Sequence, residues 1–284
     1  MRNSNNLILN NFFSRATFKS LLTGKKNSRY NTCIKRYVSN ISKLTNEEAI
    51  SEVYKYLDAN YRNEYFYKNT LMNKLLLGKH SLKTTTALTE IPINKSKADY
   101  IMINGEATVY EIKTELDNFD RLEYQLKDYY KGFKNVCVVT SENNYNEVLK
   151  ILRDTNVGIY VLTDRNTLSY RKEIVSDTSN LQYDVIFKML RKYEFEDIIL
   201  RTFGFLPEVS SFEYYDECFK VLSSIEIEDL HYLMIKQLKN RVSIDIDKYQ
   251  EIIPYELKFI MYFLNLKVNE YKMVENFLNA KLEG

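Results

Sequence analysis

Asp99, Glu111 and Lys113 have the types and spacing for chemistry on a phosphate. Asp99 opens the apolar run DYIMI, and Glu111 and Lys113 lie in the next one, ATVYEIKT. On a strand, residues two apart share a face, so Glu111 and Lys113 project together while Tyr110 and Ile112 project the other way. A carboxylate and an ammonium side by side on an internal strand are costly to bury without a task. The same spacing also suits a cross-strand ion pair on a solvated face. Two carboxylates converging on one point make an oxygen-ligand site for Mg2+ or Mn2+. A lysine beside such a metal can orient a water or help deprotonate it, and can balance charge developing on a phosphate. Further along, Gln125 and Tyr129 are spaced i, i+4 and share one helix face.

The elements around these residues follow from pattern. Thr45 and Glu48 form a capping box, and Ile50, Val53, Tyr54 and Leu57 continue with helical spacing. A second helix is expected from near Asn60 to Leu77, ending at Gly78. Strands are expected over 84–93, 99–103 and 107–114, with the hairpin signal Asn104-Gly105 between the last two. Asp117 is expected to cap a helix carrying Phe119, Leu122, Leu126 and Tyr129, with Gly132 closing it. The runs 135–141 and 157–163 read as buried strands on either side of a helix over 144–154. Beyond Thr167 the strand signals fade, and 181–203, 213–224, 226–241 and 251–282 read as helices. The expected fold class is α/β, one mixed sheet flanked by helices, with a helical C-terminal subdomain. The expected segments are a basic N-terminal arm over 1–44, a core over 45–166 and the helical subdomain over 167–284.

Composition removes several other chemistries. The chain has 284 residues, 45% hydrophobic and 27% charged, which supports a real core. Its three cysteines lie far apart and its two histidines, His80 and His231, sit in unrelated contexts. That disfavours zinc sites, disulfide frameworks and histidine triads, and points to a reducing, cytoplasmic compartment. No phosphate-binding glycine loop is present, and no apolar run is long enough for a membrane span. Net charge is only +2, yet no Asp or Glu precedes Glu47, while nine Lys and Arg residues do, from Arg2 to Lys43. Such an arm can be a solvated tail, a nucleic-acid contact or a targeting peptide.

With its strands and helix, the pattern D-x11-E-I-K followed by Q-L-K-D-Y resembles the PD-(D/E)XK nucleases, particularly the RecB-like branch with its Q-x-x-x-Y helix. The stretch KADYIMINGEATVYEIKTELDNFDRLEYQLKDYY is similar to a family of uncharacterised bacterial proteins often found near mobile elements, and FKMLRKYEFEDII and FGFLP are similar to its C-terminal region. The likeness spans about 46–245. It implies a restriction-endonuclease-like core and a metal-dependent nuclease acting on nucleic acid, with DNA favoured over RNA. Asp99 and Glu111 would bind Mg2+ or Mn2+, Lys113 would be the catalytic lysine, and Gln125 and Tyr129 would line the site. A further acidic ligand on the first core helix would be Glu64, with Glu47, Glu48 and Glu52 as alternatives. Ala98 stands where that pattern has proline. Dimerisation would pair two nicking sites. The same fold class also includes proteins that bind nucleic acid or a protein partner without cutting.

A shared metal imposes a parity condition. A two-residue turn at Asn104-Gly105 would pair Asp99 with Tyr110, on the face opposite Glu111. A three-residue loop, Ile103-Asn104-Gly105, with Gly105 left-handed, would return Asp99 to the face of Glu111. The site therefore predicts this loop or another bulge of the same parity.

Overall fold

A computed structural model describes residues 6–282. In chain order the helices and strands are α1 (Leu7–Phe12), α2 (Arg15–Leu22), α3 (Ser28–Tyr37), α4 (Asn46–Asn60), α5 (Glu64–Leu71), β1 (Thr86–Ile93), β2 (Ser96–Asn104) and β3 (Glu106–Lys113). There follow α6 (Leu122–Tyr130), β4 (Asn135–Ser141), α7 (Tyr145–Leu152), β5 (Gly158–Leu162) and β6 (Leu168–Lys172). The rest is helical: α8 (Tyr183–Met189), α9 (Lys192–Phe203), α10 (Tyr214–Leu222), α11 (Ile227–Lys239), α12 (Ile246–Ile252), α13 (Lys258–Leu264) and α14 (Glu270–Asn279). The chain divides into two compact units. They cut across the three expected segments. One holds the described residues up to Lys83, residues 114–116, and those from Val242 on; the other holds Thr84–Lys113 and Asp117–Arg241.

The first unit is helical. The expected arm is part of it and not a solvated tail, except that Arg2 lies outside the described residues. Ser14 caps α2 and Asn27 caps α3, each accepting a backbone N–H. Phe12, Phe13, Phe18 and Tyr30 are buried. The Phe13 ring stacks on Tyr65 at 4.5 Å, and Phe18 meets Phe277 edge-on at 6.4 Å. The Tyr30 hydroxyl donates to Asn46 at 2.6 Å, and Asn46 donates to the carbonyls of Phe277 and Ala280. Charge alone leaves a tail, a nucleic-acid contact and a targeting peptide open; the buried aromatic rings show a packed segment. The capping box at Thr45 forms as expected. The second helix starts later than expected, capped by Asn63, and runs on as a π-helical turn over Met72–Leu77.

The second unit is a mixed α/β fold. Its six strands lie in the order β1-β2-β3-β4-β5-β6. The first three form an antiparallel meander, β3, β4 and β5 are parallel, and β6 returns antiparallel. Helices α6 and α7 make the two crossovers that parallel neighbours require. Every residue of β4 is buried, as a central strand covered on both faces must be. Strand β6 was not expected, because it is a half-exposed edge strand without an apolar run. The long helical reading of 181–203 breaks between α8 and α9, and that of 251–282 breaks between α13 and α14. Helix α12 was not expected. Asp117 does not cap α6, which starts five residues later at Leu122. Gly132 follows α6, and a Cβ there would press on neighbouring side chains, 2.9 Å from Met189 Sδ and 3.2 Å from Ile93 Cγ2.

His231 on α11 is buried beside Phe133, and its Nε2 has no hydrogen-bond partner. Burial, and then the charge of Lys134, lower its pKa to about 4. The unfolded chain binds a proton near pH ~6.5 that the folded chain refuses. Stability is therefore expected to fall between pH ~6.5 and about 4, by up to about 3 kcal/mol from this residue. Urea unfolding of wild type and His231→Phe across that range should show a smaller pH slope in the variant. Equal slopes would exclude His231 as the cause.

Candidate functional site on strand β3 and helix α6

The turn between β2 and β3 sets the face of every side chain on them. Asn104 pairs with Glu106 around Gly105 alone, and the register continues to Tyr100 opposite Tyr110. Gly105 is left-handed, with φ +74°, as the parity condition asked. The loop itself differs from the three-residue one expected: it is Asn104, and not Met102, that pairs with Glu106. The parity is the same. Continuing the register one step puts Asp99 opposite Glu111, and paired residues share a face. Tyr100 and Tyr110 occupy the other face, with ring centroids 6.0 Å apart.

Pairing of β2 with β3 ends at Tyr100, although both strands go on. There Asp99 substitutes for the ladder: its Oδ2 accepts the Ile112 N–H at 2.9 Å. Strand β3 stays in register with β4 up to Lys113 opposite Thr140. The Thr140 hydroxyl also donates to the Lys113 carbonyl at 2.9 Å.

Glu111 is 1% exposed. Its Oε1 lies 2.9 Å from Lys113 Nζ, and its Oε2 lies 2.5 Å from the Tyr129 hydroxyl. Lys113 Nζ also donates to Gln125 Oε1 at 2.9 Å. The structure thus brings Glu111, Lys113, Gln125 and Tyr129 into one hydrogen-bonded cluster. Tyr129 also lies 3.0 Å from the Lys97 carbonyl, but its one proton goes to the closer, charged acceptor. Burial, and then the charge of Glu111, push the Tyr129 pKa well above the tyrosine range; Asp99 adds to the same effect. Tyr129 therefore stays protonated and donates.

Asp128, the neighbour of Tyr129, was not singled out in the sequence. It is buried and accepts from Asn94 Nδ2 at 2.5 Å, Ser96 Oγ at 2.8 Å and Lys131 Nζ at 2.9 Å. Burial alone would raise its pKa, but these hydrogen bonds more than offset that and hold it below the usual carboxylate range. Asp128 ties the β1–β2 turn to α6. Its only sequence signal is an aspartate on the face that α6 turns inward.

Glu90 on β1 is left-handed at φ +57°, an uncommon conformation for a side chain with a Cβ, and it pairs loosely with Lys97 at 3.7 Å. The remaining candidates belong to the helical unit. Glu64 is the first residue of α5 and forms an ion pair with Lys68. Of its alternatives, Glu48 is spent in the capping box and Glu52 accepts the Ser39 N–H. Among the described residues no group of three or more His, Cys, Asp or Glu is placed to hold a metal ion. Asp99 and Glu111 are two hard oxygen donors on adjacent strands, and Mg2+ commonly takes one or two carboxylates with water and phosphate oxygens completing its shell. The donor chemistry fits that ion.

The chain belongs to the family described as Bacteriophage P4 protein cII, whose sequence profile matches residues 57–258. That span includes Glu64, Asp99, Glu111, Lys113, Gln125 and Tyr129, but not the alternatives Glu47, Glu48 and Glu52. Protein cII of Enterobacteria phage P4 is 28% identical over 172 residues, 58% of this chain and 63% of that protein. The match thus spans less than two thirds of that relative's length. No solved structure matches.

Tyr129→Phe deletes the donor to a buried carboxylate and leaves packing almost unchanged. It is expected to lower unfolding free energy by about 1–3 kcal/mol, the cost of a buried acceptor losing its partner. Denaturant unfolding reads this directly. A change under about 0.5 kcal/mol would mean that the hydroxyl does not hold Glu111.

Proposed function

We propose that the chain is a metal-dependent nuclease of the restriction-endonuclease type, hydrolysing phosphodiester bonds in DNA. The observation that carries this is the convergence of Glu111, Lys113, Gln125 and Tyr129, with the Asp99 carboxylate held against the same strand, β3, by the Ile112 N–H. The element order of helix, three-strand meander, helix and strand is the order that the nuclease resemblance implies.

Asp99 and Glu111 would hold the Mg2+ or Mn2+ ion, which when bound supplies Lewis acidity toward a phosphoryl oxygen. Tyr129 fixes Glu111 by holding Oε2, so that the carboxylate meets a ligand in one orientation. Gln125 accepts a hydrogen bond from Lys113 Nζ and steers the ammonium. Lys113 then carries positive charge to the phosphate as negative charge grows there. The family's phage relative accords with a cytoplasmic protein of a mobile element.

A second reading has one observation in its favour. Both Glu111 oxygens are already engaged by protein donors, as suits a nuclease-fold protein that binds nucleic acid or a protein partner without cutting.

Supercoiled plasmid incubated with Mg2+ or Mn2+ is expected to be nicked, and EDTA is expected to stop the reaction. Lys113→Gln should slow cleavage by about 100-fold or more, the scale of losing one positioned charge donor. Its melting temperature should be recorded as well, because Lys113 pairs with a buried carboxylate. Cleavage at the wild-type rate would remove Lys113 from the chemistry. Calorimetric titration of Mn2+ into wild type and Glu111→Gln separates the readings: binding lost in the variant supports the nuclease, and no site-dependent binding supports the non-cutting protein.

A further inference from the structure

Helix α2, helix α3 and the chain after α14 line an open cleft of about 930 Å³ within the helical unit. Four lysines line it: Lys25, Lys26, Lys35 and Lys281. All four are exposed, and none forms an ion pair among the described residues. No Asp or Glu is among the lining residues. Between the lysines lie Leu21, Ile34, Val38, Ile41 and Phe277. Gly24, left-handed at φ +71°, turns the chain out of α2 and delivers Lys25 and Lys26 to the rim. Asn27 starts α3, which carries Lys35.

Four lysines with no lining carboxylate make the cleft electropositive, which favours a polyanion. An inorganic phosphate would leave most of the space unfilled, since the volume lies at the upper end of small-molecule sites, ~300–1,000 Å³. The apolar residues offer a surface for a flat ring. Asn31 and Asn40 interrupt them with amides that can bond to a base edge. An acyl chain would gain nothing from those amides.

We propose that this cleft binds single-stranded nucleic acid, with the lysines on successive phosphates and an unstacked base on the apolar floor beside Phe277. The cleft residues lie outside the span matched by the family, 57–258. Binding here is separate from chemistry at Glu111 and needs no metal.

The test is fluorescence anisotropy of a labelled oligothymidine with the full chain, in EDTA, across a salt series. Lys25→Gln/Lys26→Gln/Lys35→Gln is expected to weaken binding by about tenfold or more and to flatten the salt slope by about 2, at about 0.7 per lost single-strand contact. Should the triple variant unfold, Lys35→Gln and Lys281→Gln singly should each flatten the slope by about 0.7. An unlabelled single strand should compete better than a duplex of equal length. Affinity within twofold of wild type and an unchanged slope would overturn the proposal. So would a preference for duplex. Loss in the variants of binding to phosphatidylserine vesicles, with oligothymidine binding intact, would assign the cleft to lipid and overturn it too. A cleavage-dead protein that still passes this test leaves the cleft proposal standing, and the converse also holds.

Discussion

A carboxylate removed from water must be met by donors, or it protonates or forces the fold open. Glu111 is in that position, and much of the second unit can be derived from it. Its strand is internal, with β2 on one side and β4 on the other, so water cannot serve it. Two donors meet it: an ammonium two residues along the same strand and a phenol from the crossover helix. For the phenol to arrive, α6 must lie over the meander at one rotation and one height. Asp128 secures that placement by gripping the β1–β2 turn, and Gly132 lets the helix end pass close to Met189. The burial of one charge thus dictates how the crossover helix seats.

The same neighbourhood shows where regular pairing gives way. Strands β2 and β3 stop pairing beyond Tyr100 and Tyr110, and the Asp99 carboxylate takes an N–H that a continued ladder would have given to a β2 carbonyl. Glu90 on the adjoining strand is left-handed. Such departures cost free energy that ordinary sheet packing does not recover. They are concentrated where three neighbouring strands each carry an acidic side chain, Glu90, Asp99 and Glu111. A hydrogen-bonded Lys–Gln pair and a protonated tyrosine then supply the positive and donor groups opposite that acidity.

The helical unit is held by different means. Its charged N-terminal segment is anchored through aromatic rings and through Asn46, which joins Tyr30 to the last turn of α14. Lysines and arginines project outward because the other faces of α2 and α3 are occupied by Phe18, Tyr30 and Ile34. Chain ends far apart in sequence meet in one unit, so the boundary between units follows packing and not chain order.

Local signals in the sequence were enough for the capping box at Thr45, the meander, the two buried parallel strands and the parity of Asp99 with Glu111. Each depends on neighbours within a few residues, where periodicity and turn chemistry are decisive. The i, i+4 spacing of Gln125 and Tyr129 likewise puts both on one helix face. Only the tertiary structure decided that Tyr129 reaches Glu111 while Gln125 reaches Lys113. It also decided that Asp128 is a tie and not a surface charge, and that the edge strand β6 exists. The basic segment packs as helices for the same reason: Phe13 finds a partner in Tyr65 and Phe18 in Phe277, far away in sequence. Those outcomes depend on burial by distant residues, and burial is a property that no short window of sequence contains.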